Sequence, residues 1–266
     1  MKIVVCIKQV PDTAEVKLDP KTGTLIRDGV PSIINHDDKA GLEAALQLRE
    51  KVGGTVTVVC MGPPQADVAL REALAMGADD AYLLSAREFG GSDTYATSQI
   101  LAAAINKIGV EDEDIVLCGR QAIDGDTAQV GPQIAEKLHL PQVSYAAEIT
   151  KEGDTITVKR MLEDGYMTIK VKTPCLITCI KELNAPRYMS VGGIYECYSK
   201  PYEIFDYNTL KDDPLIDPTT IGLKGSPTNI FKSFTPPQKG VGMMLEGADK
   251  ATCDKLAGIL AAKHLI

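Results

Sequence analysis

Histidine is scarce in this sequence, with three among 266 residues. His36, His139 and His264 lie far apart and show none of the spacings of a metal site, so we predict no bound metal. They also stand in no Ser/His/Asp arrangement that would activate a nucleophile, so no catalytic side chain is predicted.

Runs of lysine or arginine are absent, and the net charge is −8, from 28 basic and 36 acidic side chains. Nucleic acids and anionic membranes attract positive charge, so neither is expected as a partner. No apolar stretch approaches the roughly 20 residues that span a bilayer, so no membrane insertion is expected. The apolar run of the first strand starts at Lys2, so we expect no signal peptide.

Paired cysteine motifs are also missing, because none of the seven cysteines lies in a CxxC pair. Cys6, Cys60 and Cys118 each end an apolar run, as buried thiols do, and Cys175 and Cys179 share another such run. We therefore expect no disulfide framework and predict a cytoplasmic location, where thiols stay reduced.

The first 140 residues alternate strand patterns with helix patterns. The predicted strands cover residues 2–10, 55–61, 80–85 and 114–118, and the predicted helices cover 38–51, 65–76, 94–108 and 126–138. Apolar strands without polar alternation indicate a parallel sheet that helices cover on both faces. The predicted fold is therefore an α/β doubly wound, mostly parallel sheet, which binds ligands beyond the carboxyl ends of its strands.

The pattern changes outside this region. Residues 12–34 contain turn signals at Asp19-Pro20, Thr22-Gly23 and Asp28-Gly29, which indicate an excursion after the first strand. Short strand-like runs over residues 143–150, 156–162, 167–171 and 175–180 are expected to add antiparallel strands to the same sheet.

The C-terminal part shows no sustained period over residues 199–245, where six prolines alternate with apolar side chains. A segment of this length without its own structure is unusual in a compact domain. We therefore predict a domain over residues 1–198 and, over residues 199–266, an extended arm that lies on another surface, with a terminal helix at 248–266.

The loop after the fourth predicted strand, residues 118–131, is the most informative stretch. Gly119 and Gly125 allow close backbone approach, and the first amides of the following helix attract phosphate. Asp126 and Gln129 have the spacing of a capping box, which would occupy some of those amides, and Asp124 and Asp126 would repel a diphosphate unless they point away. From spacing alone, a plain helix cap is favoured.

Other candidate site residues stand at the same edge. Cys6, Cys60 and Cys118 end neighbouring predicted strands, so their small side chains could form a row under a flat base, or be ordinary core thiols. Asp37 or Asp38 is most simply a helix N-cap, and Asn35 could hydrogen-bond a base edge. Thr94 and Thr97 share one face at the start of a helix, which usually indicates only capping and a solvated hydroxyl face. Because the helix starts at the carboxyl edge of the sheet, both hydroxyls could also reach a ligand.

These motifs together resemble electron transfer flavoprotein beta subunits, over essentially the whole chain. The resemblance rests on residues 5–12, Asn35, residues 119–131, Arg160 with Glu163-Asp164-Gly165, residues 174–178, and residues 183–188. It implies a Rossmann-like nucleotide-binding domain whose C-terminal arm and helix embrace an alpha subunit.

The resemblance also implies the site residues. The predicted cofactor-binding residues are Cys6, Asn35, His36, Asp37, Asp38, Met61, Thr94, Thr97, Gly119, Arg120, Gln121, Ala122, Ile123, Asp124, Gly125, Asp126, Thr127, Ala128, Gln129 and Val130. The recognition loop that docks a dehydrogenase maps to residues 184–196, with predicted contacts from Asn184, Pro186, Arg187, Tyr188 and Val191. Without the resemblance, Val191-Gly192-Gly193 would be predicted as a plain turn.

Members of the family divide on the ligand of this site. In ordinary carriers it is AMP, whereas in the bifurcating type of anaerobic bacteria it is FAD, which NADH reduces. Residues 35–39 and 124–129 resemble the bifurcating type, which implies FAD here, with AMP as the alternative. The implied partners are an alpha subunit in a heterodimer, an acyl-CoA dehydrogenase, and ferredoxin or flavodoxin.

A second hypothesis is a signalling module that binds an adenine nucleotide without redox work, for which the same sheet would be suitable. It predicts a homodimer that is stable without a partner and has a compact C-terminus. The proline-rich apolar arm disfavours it.

Overall fold

The computed structural model describes residues 1–12, 31–231 and 240–266. The chain divides into two units, residues 1–231 and 232–266. The predicted turn signals at Asp19-Pro20, Thr22-Gly23 and Asp28-Gly29 lie outside the described residues.

Among the described residues, nine strands of the first unit form one sheet, and two short strands form a second. The strands are β1 Lys2–Ile7, β2 Gln9–Pro11, β3 Ser32–Ile34, β4 Thr55–Met61, β5 Asp80–Leu84, β6 Ile115–Gly119, β7 Gln142–Glu152, β8 Thr155–Met161, β9 Tyr166–Lys172, β10 Cys175–Cys179 and β11 Glu203–Phe205. The large sheet has the order β11-β5-β4-β1-β6-β10-β7-β8-β9, and β2 pairs with β3.

Helices of the first unit cover both faces of the large sheet. The helices of this unit are α1 His36–Val52, α2 Asp67–Met76, α3 Thr94–Ile108, α4 Val130–Lys137, α5 Val191–Glu196, α6 Tyr207–Leu210 and α7 Gly222–Gly225. The second unit contains α8 Lys250–Ala262. Leu42 of α1 and Leu70 of α2 belong to the core on one face, and Ile100 of α3 and Ile134 of α4 to the core on the other. Each such side chain contributes about 1.5–3 kcal/mol by its burial. The doubly wound sheet predicted from the sequence is therefore confirmed.

Helix α3 has the predicted bounds because both of its ends carry strong signals. Asp93 accepts a hydrogen bond from the amide of Ala96 (3.0 Å) and so caps the first turn. Gly109 ends the helix with a φ of 84°, a conformation that glycine adopts without a Cβ penalty.

The strands after residue 142 fit the prediction except for one. β7, β8 and β9 form an antiparallel meander, as expected. β10 is parallel to both β6 and β7, so the prediction of an antiparallel strand over 175–180 is wrong. Its uninterrupted burial is the physical reason, since a strand inserted into the centre of the sheet has helices on both faces.

Two further boundaries differ from the prediction. The first strand, predicted over 2–10, ends at Ile7, and residues 9–11 pair instead with β3. The fourth helix, predicted from residue 126, begins at Val130. Asp126 and Ala128 have positive φ values of 51° and 53°, which an α-helix excludes.

Residues 199–231 contain short elements that periodicity did not indicate. β11 is parallel to β5 at the edge of the sheet, and Phe205, Leu210 and Ile221 are buried in the core beneath α3. Elements of three or four residues are too short to show a period, which explains why the sequence predicted none.

The second unit contains α8, within the predicted terminal segment 248–266. Asp249 caps it by accepting a hydrogen bond from Thr252 N (2.8 Å). Over the described parts of the chain, no helix combines the length and apolar character needed to cross a membrane.

Candidate functional site

The carboxyl ends of the central strands bring two thiols together. Cys6 of β1 stands directly opposite Cys118 of β6, which in turn stands opposite Thr178 of β10. These three side chains therefore point to the same face of the sheet, the one that α3 and α4 cover.

Cys60 does not join this row, so that part of the prediction is wrong. It is aligned with Ile7 rather than with Cys6, and a one-residue offset directs a side chain to the opposite face. Cys60 packs in the core beneath α1 and α2. Burial raises the pKa of the Cys6 thiol to about 12, so this thiol is protonated at neutral pH and serves as a small apolar group.

Two glycines hold the loop and helix α4 close to this edge. A Cβ on Gly131 would lie 2.6 Å from Thr178 Cγ2 and 2.8 Å from Cys118 Sγ. A Cβ on Gly119 would lie 2.1 Å from a carboxylate oxygen of Asp38. Because no side chain fits in either place, helix α4 starts directly on the ends of the strands.

Asp38 ties together the ends of two strands. Its carboxylate accepts hydrogen bonds from Lys8 N and from Gly119 N, both at 2.8 Å. Burial raises its pKa to about 7, and those two amide donors oppose the shift. The expectation that Asp37 or Asp38 caps α1 is wrong, because the N-cap position is Asn35 and, within the described ranges, no side chain caps this helix.

Asn35 holds the loop in place. Its Nδ2 donates to Gln121 O (2.8 Å), and its Oδ1 accepts from Ile123 N (3.1 Å). The side chain is buried, with 1% exposure. Both polar atoms thus make hydrogen bonds within the chain, and a hydrogen bond from Asn35 to a base edge stays a prediction.

Asp37 and Arg120 form the next contact along the loop. Arg120 Nε lies 3.3 Å from Asp37 Oδ2, and the other oxygen of Asp37 accepts a hydrogen bond from Lys181 N (3.0 Å). Burial raises the pKa of Asp37, while the guanidinium of Arg120 opposes that shift. This pair joins the loop to the chain that follows β10.

Both acidic side chains of the loop are engaged within the chain. Lys8 Nζ lies 2.6 Å from Asp124 Oδ1, and the Asp124 side chain is only 2% exposed. Asp126, which is exposed, accepts a hydrogen bond from Gln121 Nε2 (2.9 Å). The ion pair with Lys8 reduces the repulsion of a diphosphate that the sequence alone suggested for Asp124.

The N-terminus of α4 is open. Gln129 is its N-cap residue and, among the described residues, no side chain accepts from its first amides. The capping box proposed for Asp126 and Gln129 is therefore wrong. Asp126 and Ala128 have left-handed backbone conformations, each of which costs about 1–2 kcal/mol in a residue other than glycine. Strain of this kind is found where a loop is shaped for a ligand.

Helix α3 supplies the second wall of the site. Thr94 Oγ1 donates a hydrogen bond to Gln129 Oε1 (3.0 Å), which links the first turns of α3 and α4. Thr97, one turn further along α3, is partly exposed. Met61 ends β4 at the same edge and is half-buried, and His36 is exposed at the start of α1.

The structure thus places the predicted cofactor residues of the loop, α3 and the strand ends along one rim of the sheet. Sequence reasoning missed Lys8, Thr178, Gly131 and Asp93 as contributors. Of these, Lys8, Gly131 and Thr178 stand inside the motifs that carried the resemblance, which was the available signal. Asp93 has a local signal as a helix cap, but its contacts with Ser226 and Thr228 are distant in sequence, and no local pattern indicates them.

A second exposed surface lies on residues 188–198. Tyr188 and Val191 are 98% and 87% exposed, and Tyr195 and Tyr198 are also exposed. Val191 begins helix α5, which Ser190 caps by accepting from Gly193 N (2.9 Å). Residues 191–193 therefore form the first turn of a helix rather than the plain turn that the sequence alone suggested.

Internal contacts hold this surface in place. Arg187 Nε donates to Glu43 Oε2 (2.8 Å) and Arg187 Nη1 to Glu50 Oε1 (2.5 Å), both on α1. Asn184 Nδ2 donates to Ala40 O (2.9 Å). On the other side, Arg71 of α2 donates to Lys200 O (2.6 Å). Large apolar side chains held on a fixed frame are typical of a protein-binding surface.

Comparison with known proteins gives a consistent result. The family "Electron transfer flavoprotein domain" matches residues 22–202. The "Acryloyl-CoA reductase electron transfer subunit gamma" of Anaerotignum propionicum is 63% identical, with all of both chains covered. The "Electron transfer flavoprotein subunit beta" of Thermoanaerobacterium thermosaccharolyticum is 57% identical, also over all of both chains. The "Caffeyl-CoA reductase-Etf complex subunit CarD" of Acetobacterium woodii is 56% identical over 99% of this chain and 97% of its own.

Proposed function

This chain belongs to the electron transfer flavoprotein family, as a beta subunit, and on that premise we propose that it binds FAD as part of a heterodimer with an alpha subunit. In this proposal the complex accepts electrons from NADH. It divides them between ferredoxin or flavodoxin and a second FAD in the alpha subunit, which serves an acyl-CoA dehydrogenase.

The observation that carries the proposal is the open N-terminus of α4 beside a loop whose carboxylates are already engaged. Amides at a helix N-terminus, together with the positive end of the helix dipole, favour a phosphate group. The charge of Asp124 is balanced by Lys8, and the carboxylate of Asp126 is held by a hydrogen bond from Gln121. The residues present therefore fit a dinucleotide such as FAD.

The chain's own residues would bind and orient the cofactor. The amides of residues 127–130 would hold the phosphates, and Thr94 and Thr97 would offer hydroxyls to the rest of the molecule. Cys6 and Cys118 would form the apolar floor. Bound FAD would supply the redox chemistry, the exchange of one or two electrons, so no side chain need act as acid or base.

We also propose that residues 184–196 dock the dehydrogenase, with contacts from Asn184, Pro186, Arg187, Tyr188 and Val191. Arg187 is engaged with Glu43 and Glu50, so its part would be to fix the position of the exposed Tyr188 and Val191. The names of two relatives, from acryloyl-CoA and caffeyl-CoA reductases, support a partner that acts on a CoA thioester.

The proposed division of labour along the chain assigns nucleotide binding to residues 1–198 and packing on the alpha subunit to residues 199–266. Residues 203–221 contribute to the core of the first unit, so we assign the grip on the partner to the residues that follow. Exposed apolar side chains at Ile230 and Phe231 support this assignment. A cytoplasmic location is proposed because Cys6, Cys118, Cys175, Cys179, Cys197 and Cys253 are free thiols in the described part of the chain.

The test is the nucleotide content of the heterodimer, obtained by co-expressing the chain with its alpha subunit. Two FAD per heterodimer, together with NADH-dependent reduction of both ferredoxin and a CoA-thioester dehydrogenase, is the expected result. One FAD and one AMP would overturn electron bifurcation and leave an ordinary carrier. A chain that forms a stable homodimer with bound nucleotide and ignores the alpha subunit would instead support the signalling module.

A further inference from the structure

Residues 222–228 lie against the loop that precedes α3. The amides of Gly222 and Leu223 donate to Ser92 Oγ (3.1 Å) and Gly90 O (2.9 Å). In the opposite direction, Asp93 N donates to Ser226 Oγ (2.8 Å). Asp93 and Ser226 are 133 residues apart in the sequence. Residues 222–228 therefore support the loop through direct contacts.

Residues 222–228 and the loop that precedes α3 pack with their backbones in close contact. A Cβ on Gly222, which has a φ of 67°, would lie 2.2 Å from Glu88 O, and a Cβ on Gly91 would lie 2.9 Å from the Cβ of Leu223. Ser226 is buried, with 5% exposure, and also donates to Gly222 O (2.7 Å). Such close packing means that a shift of one piece moves the other.

Asp93 uses its two carboxylate oxygens for different purposes. Oδ1 accepts from Ala96 N (3.0 Å) and caps α3, whereas Oδ2 accepts from Thr228 N (2.9 Å). The next residue, Thr94, donates to Gln129, the N-cap residue of α4. Contacts thus run from Thr228 through Asp93 and Thr94 to the amides proposed to hold phosphate.

We propose that residues 222–228 set the position of the first turn of α3 at the nucleotide site, and that Asp93 and Ser226 are positioning residues for nucleotide binding. The inference rests on the proposed function, because it concerns the affinity of that same site.

The coupling has a reciprocal consequence. If the segment raises the affinity for the nucleotide, the bound nucleotide must stabilise the segment by the same free energy. The amide of Thr228 should then exchange its hydrogen more slowly when the site is saturated. This readout does not depend on electron transfer.

Asp93→Asn separates the two functions of the side chain. Asparagine caps a helix as well as aspartate does, so α3 keeps its cap, but its NH2 group cannot accept from Thr228 N. Ser226→Ala removes the acceptor for Asp93 N from the other side. For the heterodimer stripped of nucleotide, we expect each variant to bind FAD or AMP about three- to tenfold more weakly in calorimetric titration.

A matched control is available at another helix cap. Asp206→Asn changes the cap of α6 without touching residues 222–228. This variant should bind the nucleotide as the wild type does. Two results would overturn this inference and leave the proposed function standing. One is that Asp93→Asn binds the nucleotide with the affinity of the wild type. The other is that the Thr228 amide of the wild type exchanges its hydrogen at the same rate with and without nucleotide. A wild-type heterodimer that binds neither FAD nor AMP would overturn the proposed function, and this inference with it.

Discussion

Lys8 and Asp124 form an ion pair across the rim of the sheet, with 2.6 Å between Lys8 Nζ and Asp124 Oδ1. Lys8 follows the end of β1, and Asp124 stands in the loop that precedes α4. The pair therefore links the first strand to the proposed phosphate-binding segment and neutralises a carboxylate that would face a diphosphate.

Replacing Lys8 with methionine keeps the length of the side chain and removes its charge. Asp124 then retains a negative charge close to the proposed phosphates, so we expect about tenfold weaker binding of FAD or AMP by the stripped heterodimer. The effect should shrink as salt concentration rises, because salt screens partly exposed charges. Calorimetric titration at two ionic strengths measures the loss of affinity and its dependence on salt.

Lys159→Met is the matched control for this change. Lys159 of β8 pairs with Glu148 of β7 at 2.6 Å, in the antiparallel part of the sheet. This variant should bind the nucleotide with the affinity of the wild type. Equal affinities for Lys8→Met and the wild type would show that Asp124 has no influence on the nucleotide.

Asp38 predicts a dependence of stability on pH. Its pKa in the folded chain is about 7, above the ordinary value of 3.8, because burial disfavours the charged form. Between these two values the folded chain binds the proton and the unfolded chain does not, so the free energy of unfolding falls as pH rises. The slope from this group approaches about 1.4 kcal/mol per pH unit and ends above pH 7.

Urea unfolding between pH 4 and pH 8 measures the free energy of unfolding of the wild type and of Asp38→Asn, and the difference between them gives the contribution of Asp38. The variant cannot ionise at this position, so its stability should fall less steeply over the same interval, although it is less stable at low pH through a lost amide contact. Parallel stability curves for the two proteins would rule out titration of Asp38 in this range.

The sequence predicted the sheet well and the site incompletely, for physical reasons that particular residues illustrate. The helix from Thr94 to Ile108 was predictable because its signals are local, namely Asp93 before it and Gly109 after it. The start of α4 was not, because Asp126 and Ala128 adopt left-handed conformations that only the surrounding contacts stabilise. The sequence singled out Asn35, but not its hydrogen bond to Gln121, which is 86 residues away.

The exposed surface of residues 188–198 predicts a docking defect. Val191→Lys places a charge on a side chain that is 87% exposed, which should disrupt an apolar contact without altering the fold. We expect electron transfer to the dehydrogenase to fall at least tenfold, while nucleotide content stays that of the wild type. Val52→Lys, at the end of α1, where the side chain is 48% exposed, is the matched control. Undiminished transfer by Val191→Lys would place the docking surface elsewhere.

Gly131 predicts how closely α4 must approach the strands. Alanine is ordinarily favoured over glycine inside a helix by about 1 kcal/mol, so helix propensity alone would make Gly131→Ala stabilising. Here the new Cβ would lie 2.6 Å from Thr178 Cγ2 and 2.8 Å from Cys118 Sγ, and such overpacking costs about 1–3 kcal/mol. We expect a lower melting temperature and weaker nucleotide binding, because α4 must move away from the rim that it shares with β6 and β10.

Gly258→Ala, in α8, has open space around it within the described structure and should be neutral or stabilising. If Gly131→Ala behaved in the same way, the close approach of α4 to the sheet would not be required for the site.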